Sequence, residues 1–451
     1  MDERIRRRQV LGGIASAGVI GLAGCTGDGG DGDDGGSDGG DGGTDGGDGG
    51  SGGDGGDGGD GGDGGSDGGD GGAGRSIRLG MLMGVTGGLS ELGPPIRDAA
   101  QLVPTQVNDA DTDFSVDVQF EDTATQPSQG VSNAEALINA GYPMICGALS
   151  SEVSLQVANQ AAIPSGVTMC SPASTAPDFT TLEDNDLFFR TPPTDALQGA
   201  VMAQIASERL GHDSAATLYL NNAYGNGLSA GFVDSFENEY GGTVTASVSF
   251  SKGRSSYTSQ LSSALSDDPG VLIVVGYPES GVQIFRDFYN NYDGSMDILV
   301  SDGLQSSSLP GNVGRDMSNV RGTAPLGQGP GVDFFNQAYQ DAYGADPAGQ
   351  PFTRQAYDAA AVLVLANAAA GENDGAAVAE NMRTVAQGEG TEVTPSNLVE
   401  GIEMAANGDA INYQGVSGPI GFDEAGDLSE ATYQYFQFTS DGIEEIENIT
   451  P

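Results

Sequence analysis

Beyond residue 75 the chain alternates short apolar runs with amphipathic stretches of helical spacing. Ile77–Val85 (IRLGMLMGV) has strand length, and a helix follows from about Pro95 to Asn108, with Ile96, Ala99, Ala100, Val103 and Val107 on one side. Period-two alternation over Ser115–Glu121 predicts a strand, and Ser128–Ala140 a helix. Pro143–Gly147 and Val167–Ser171 are buried strands flanking a helix over Glu152–Ala162. The pattern then restarts. Helices are predicted at Gln198–Leu210, Asn226–Tyr240, Tyr257–Leu265 and Gly281–Asn291. Strands alternate with them at Ser214–Leu220, Thr243–Phe250, Gly270–Gly276 and Asp297–Ser301. After Pro325–Gln328 come helices at Val332–Tyr343 and Arg354–Ala370, and Glu430–Thr439 ends the pattern as an antiparallel-looking strand. Short apolar strands separated by helices predict an α/β fold: parallel sheets with helices on both faces. Residues 75–451 are more than one core usually serves. Two α/β lobes are therefore expected, with the boundary near Arg190–Pro193.

The first 74 residues follow other rules. Residues 26–74 are almost wholly Gly and Asp, with Ala73 as their one apolar side chain. Such a segment cannot offset the entropy of ordering and is expected to be a disordered tether. As a Gly-rich coil it would span roughly 40 Å. Before it, the basic stretch Arg4–Arg8 precedes a short apolar stretch, Val10–Ala23, ending in small residues. That is the layout of a signal peptide, residues 1–25. Arg7-Arg8 followed by Gln9-Val10-Leu11 resembles a twin-arginine export signal. Leu22-Ala23-Gly24-Cys25 resembles a lipobox, which implies cleavage before Cys25 and diacylglycerol on its thiol. The protein is thus expected on the outer face of the cytoplasmic membrane, in contact with it only through the lipid.

Charge narrows the partners. The formal charge is -48. Of the 64 acids, 14 lie in the tether and two before it, leaving 48 against 12 bases in the remainder, or -36. Lys252 is the one lysine. At molar salt the Debye length is about 3 Å, so such a surface stops repelling itself, and a salt-loving host is expected. Nucleic acid and anionic membrane surfaces are excluded as partners. His212 is the one histidine, and no His/Cys set has metal spacing, so neither a metal site nor a cofactor is expected. An enzyme would need a nucleophile–base pair or a metal, and neither is apparent. No apolar run after residue 25 is long enough to span a membrane.

In open α/β sheets ligands sit beyond the carboxyl ends of the strands. Here those ends include Gly147-Ala148-Leu149-Ser150-Ser151, Ser171-Pro172-Ala173-Ser174-Thr175, Asn221-Asn222-Ala223-Tyr224-Gly225, Gly276-Tyr277 and Ser301-Asp302-Gly303. They are small, hydroxylic or aromatic, which suits a small polar ligand. Ser151 begins a helix, where free N–H groups favour an anion, although Ser and Thr also cap helices in the ordinary way. Cys146 and Cys170 fall near the ends of neighbouring strands, as buried thiols or as a disulfide.

Three stretches carry a family likeness: Ser171-Pro172-Ala173-Ser174-Thr175-Ala176-Pro177, Tyr224-Gly225-Asn226-Gly227, and the run from Gly415 to Asp427 (GVSGPIGFDEAGD). With their order, spacing and leader, the chain resembles the branched-chain amino-acid-binding family of type I periplasmic binding proteins over residues 76–445. The resemblance implies two Rossmann-like lobes joined by a multi-strand hinge, the first 75–192 plus 324–407 and the second 193–323 plus 408–451, with crossings near Thr191, near Thr323 and between Asn407 and Gly415. It implies ligand capture between the lobes by hinge closure, delivery to an ABC permease, and action as a monomer. It implies that Ser151, the Ala173 backbone and Thr175 meet the ligand carboxylate. Asp302, where a Glu is common, would meet the ammonium, and Tyr224 and Tyr277 would close over the ligand. Leu92 stands where leucine-binding members often have Tyr, so urea, short amides or aromatic acids remain alternative ligands. A ligand-sensing surface receptor is the alternative role.

Overall fold

The computed structural model describes residues 75–440 and 442–451. The expected signal peptide, the tether and Cys25 lie outside the described residues.

Two sheets organise the chain. In the first, the order is β2 (Ser115–Asp122), β1 (Ser76–Met83), β3 (Met144–Gly147), β4 (Thr168–Ser171) and β5 (Phe188–Arg190), all parallel. The crossovers are α1 (Gly93–Asn108), α2 (Pro127–Asn139) and α3 (Ser151–Val157). The pleat sends Ile77, Leu79 and Met81 to one core and Leu82 to the other, so β1 reads as a continuous apolar run. Cys146 and Cys170 are register partners across β3 and β4 and are buried free thiols.

The second lobe runs α4 (Asp195–Gln204), β6 (Ser214–Leu220), α5 (Ala223–Asn238), β7 (Thr243–Phe250), α6 (Thr258–Ala264), β8 (Val271–Val275), α7 (Pro278–Asn291), β9 (Asp297–Val300), α8 (Leu309–Val313) and β10 (Val320–Pro325). The chain then returns to the first lobe with α9 (Val332–Tyr343), α10 (Thr353–Ala370), α11 (Gly375–Gln387), β11 (Thr391–Val393), α12 (Leu398–Ala406) and β12 (Ile411–Tyr413). It ends in the second sheet with β13 (Tyr433–Thr439) and β14 (Gly442–Ile449), giving the order β14-β13-β10-β9-β8-β6-β7. Strands β6 to β10 are parallel, and β13 is antiparallel to both β10 and β14. Helix α10 is apolar nearly all round because it is enclosed by the first sheet, α1, α11 and α12.

The third crossing lies later than expected. β12 pairs with β11, and buried Asp358 of α10 accepts from the Tyr413 hydroxyl and the backbone N–H groups of Val416 and Ser417. Residues 408 to about 428 therefore stay with the first lobe rather than joining the second. Asp427 completes that attachment. It forms a 2.5 Å ion pair with Arg190, which is wholly buried and also donates to the Ala176 carbonyl at 2.7 Å. The short elements β5, β11, β12 and β10, the last ending on a proline, were not expected, nor were β14, α11 and α12.

Breaking a buried pair leaves an uncompensated charge, so Asp427→Ala should lower stability by about 3–5 kcal/mol. The exposed pair of Arg383 and Asp186 sets the comparison: Asp186→Ala should cost under about 1 kcal/mol. Denaturant melts of both variants in high salt check this.

Candidate ligand-binding cleft

The strand ends converge between the lobes. Ser151 opens α3 after β3, Ala173 and Thr175 follow β4, and Tyr224 lies in the first turn of α5. Asn222 caps that turn by accepting from the Gly225 N–H at 2.8 Å. Tyr277 immediately precedes α7, whose start at Pro278 is three residues earlier than the expected Gly281. Asp302 follows β9. Six of the seven candidate residues, Leu92, Ser151, Ala173, Tyr224, Tyr277 and Asp302, line one small, tightly closed cavity. Leu89, Ile96, Leu149 and Phe352 complete an apolar wall. Thr175 does not line it. Its hydroxyl is buried beside the Asp195 carboxylate without a hydrogen-bond partner.

The polar groups are held in place. Ser151 Oγ accepts from the Thr175 N–H at 3.2 Å and the Ala176 N–H at 3.3 Å, so its own proton is left to point elsewhere. Ser171 Oγ donates to the Ala148 carbonyl at 2.6 Å and accepts from the Ser174 N–H at 3.0 Å, which stiffens the loop bearing Ala173. Across the cavity the Tyr224 hydroxyl meets Ser301 Oγ at 2.7 Å and Asp302 Oδ1 at 3.1 Å. The rings of Tyr224 and Tyr277 stack with centroids 5.6 Å apart. The lobes touch around the cavity in a closed arrangement. Lys252 Nζ donates to the Thr125 carbonyl at 3.1 Å, the Ala223 N–H donates to Glu152 at 3.2 Å, and the Ser306 and Ser308 hydroxyls donate to Glu91.

Comparison with known proteins agrees with this architecture. Residues 76–432 match the family described as periplasmic binding protein. The chain is 29% identical over 380 residues to a chemotactic signal transduction system substrate-binding protein of Halobacterium salinarum, spanning 82% of this chain and 88% of that one. It is 26% identical over 372 residues to a leucine-, isoleucine-, valine-, threonine- and alanine-binding protein of Pseudomonas aeruginosa, spanning 81% and 91%. Its fold superposes on the crystal structure of the leucine binding protein LivK of Thermotoga maritima with a TM-score of 0.69 at 25% identity, covering 83% of this chain and 99% of that chain. The chain belongs to the periplasmic binding protein family. These relatives are solute-binding proteins rather than enzymes. Among the described residues no helix is long and apolar enough to cross a membrane. His212, which received no role, meets Asp297 at 2.9 Å on the far side of the second sheet's strands.

One residue beside this binding protein's cleft escaped the sequence reading. Asp195, the first residue of α4, is fully buried, and neither carboxylate oxygen has a hydrogen-bond partner. Burial, then the nearby Asp302 carboxylate, pushes its pKa well above the usual range. Burial raises Asp302 to about 6, against hydrogen bonds from Gln198 and Tyr224 that favour its charge. Gln198 also keeps an unpartnered buried oxygen. In a chain with 48 acids after its tether, one more in a Thr-Pro-Pro-Thr-Asp connector carries no compositional signal. The expected helix began at Gln198 and left Asp195 in a loop.

A carboxyl group whose folded pKa lies above its unfolded one destabilises the fold once ionised. Its contribution is complete below about pH 4 and is lost as pH rises to about 6. Asp302→Asn should therefore stabilise the ligand-free protein at pH 7 by about 1–3 kcal/mol. It should also flatten the melting profile between those pH values, with buried Asp358, likewise raised to about 6, supplying the residual slope. Melting temperature against pH for both proteins is the check.

Proposed function

We propose that the protein captures a branched-chain or similar aliphatic α-amino acid between its lobes and delivers it to an ABC permease. The observation that carries this reading is the opposition of two chemistries in one small cavity. On the first lobe stand uncharged donors, the Ser151 hydroxyl and the braced Ala173 loop, suited to a carboxylate. On the other side stand the Asp302 carboxylate and, behind it, the unpartnered Asp195. An α-ammonium between them would supply the positive charge that the protein does not. A charge-assisted hydrogen bond of this kind contributes roughly 1.5–3 kcal/mol. The wall of Leu89, Leu92, Ile96 and Phe352 suits an aliphatic side chain. It offers no partner for the second amide nitrogen of urea or the ring hydroxyl of a phenolic acid.

A ligand that touches both lobes favours the closed form and shifts the population towards it. At molar salt long-range steering is weak, so affinity rests on these short contacts and on burial. The proposal includes residues 1–25 as a twin-arginine lipoprotein signal, attachment through Cys25, a tether over residues 26–74, and a salt-loving host. It also includes action as a monomer.

A second reading has its own support. The Halobacterium salinarum relative is a chemotactic signal transduction component. The same closed form could be recognised by a membrane-bound chemotaxis transducer instead of a permease. A deletion strain distinguishes the two: loss of amino-acid uptake identifies transport, and loss of taxis with uptake intact identifies sensing.

Asp302→Ala should weaken binding of the preferred amino acid at least about tenfold by calorimetry in molar salt while the circular dichroism spectrum is unchanged. Wild-type affinity should fall below about pH 6, as Asp302 takes up a proton and ceases to attract the ammonium. Unchanged affinity in the variant would remove Asp302 from the site.

A further inference from the structure

Phe352 occupies a backbone position that suits glycine. Its φ is 64° and ψ 0°, in the left-handed region that bulky side chains rarely adopt. Such a conformation persists only where the surroundings hold it in place, and it is a pointer to function once observed. The residue follows Pro351 and immediately precedes α10, and only 5% of its surface is exposed. It lines two spaces. One is the apolar end of the ligand cavity, beside Leu92 and Ile96. The other is a larger, solvent-connected cavity of about 380 Å³ with Gln305, Gln350, Arg354 and Glu445 in its wall.

That second cavity differs in chemistry. The Arg354 guanidinium donates to the Gly327 carbonyl, and burial lowers its pKa despite the more distant Asp346 and Glu445. Among the described residues it forms no ion pair. A partly buried cation without a carboxylate partner, flanked by amides, fits an anionic or amide group.

We propose that Phe352 sets the length of ligand side chain the protein accepts, as the partition between the ligand cavity and this polar cavity. The space behind it is an accessory subsite for a carboxylate-tipped side chain. The inference rests on the amino-acid reading above. With the ring in place, a side chain longer than leucine's meets an apolar wall. With the ring removed, the two spaces join and the side-chain tip reaches Arg354.

The test is calorimetry in molar salt with leucine, phenylalanine and 2-aminoadipate on wild type, Phe352→Gly, Phe352→Leu and Phe352→Gly/Arg354→Gln. Wild type should bind leucine at least about tenfold more tightly than the other two. Phe352→Gly should narrow both gaps by about tenfold or more; it should melt below wild type, because the buried ring it loses outweighs the backbone strain that glycine relieves. Phe352→Leu, which keeps the strained backbone, should give a smaller gain. Adding Arg354→Gln should cancel the gain for 2-aminoadipate and leave that for phenylalanine. A folded Phe352→Gly protein that binds leucine with wild-type discrimination overturns the partition and leaves the amino-acid reading standing. Wild-type protein that binds none of the three overturns both.

Discussion

Two carboxylates, Asp302 and Asp195, lie buried between the lobes, and no cation of the described protein forms an ion pair with either. Taking a carboxylate out of water costs several kcal/mol unless charge or hydrogen bonds compensate it. Asp302 recovers part of this from the Tyr224 hydroxyl, and Asp195 has only the neighbouring Thr175 hydroxyl and the Arg190 charge to set against its burial. The closed arrangement therefore holds an electrostatic deficit at its centre. Under the proposed function the missing charge arrives with the ligand, and the deficit becomes a preference for zwitterions over uncharged solutes.

The rest of the fold serves to keep that space small and fixed. Parallel strands deliver their carboxyl ends to the same edge of each sheet, so the loops after β3, β4, β8 and β9 face one another once the lobes close. Arg190 and Asp427 stiffen the first-lobe side from beneath, because the guanidinium that pairs with Asp427 also holds the Ala176 carbonyl next to the Ala173 loop. The contacts across the mouth join charged groups to neutral ones: Lys252 to a carbonyl, Glu152 to an amide, Glu91 to hydroxyls. Such bonds depend on contact rather than on long-range attraction, which suits a surface whose net charge of about -36 must be screened by salt.

The leading α/β pattern was legible because long apolar strands and amphipathic helices leave a periodic signature. The short pieces were not. β11 and β12 have three residues each, and their pairing across seventeen intervening positions moved the third crossing beyond the expected one. The candidate residues were legible for a related reason: a strand end followed by Ser, Tyr or Asp is visible in one dimension. Thr175 satisfied that pattern, yet its hydroxyl turns to Asp195 and not into the cavity.

By itself the sequence determined the two-lobe α/β class, the strand-end polar loops and the acidic surface, since these follow from local periodicity and composition. Only the tertiary structure decided that Asp195 is buried without an ion pair, that Phe352 lines two cavities, and where the chain crosses for the last time. Each of those depends on which distant segments exclude water from one another. That is a property of packing, to which a residue's neighbours along the chain contribute little.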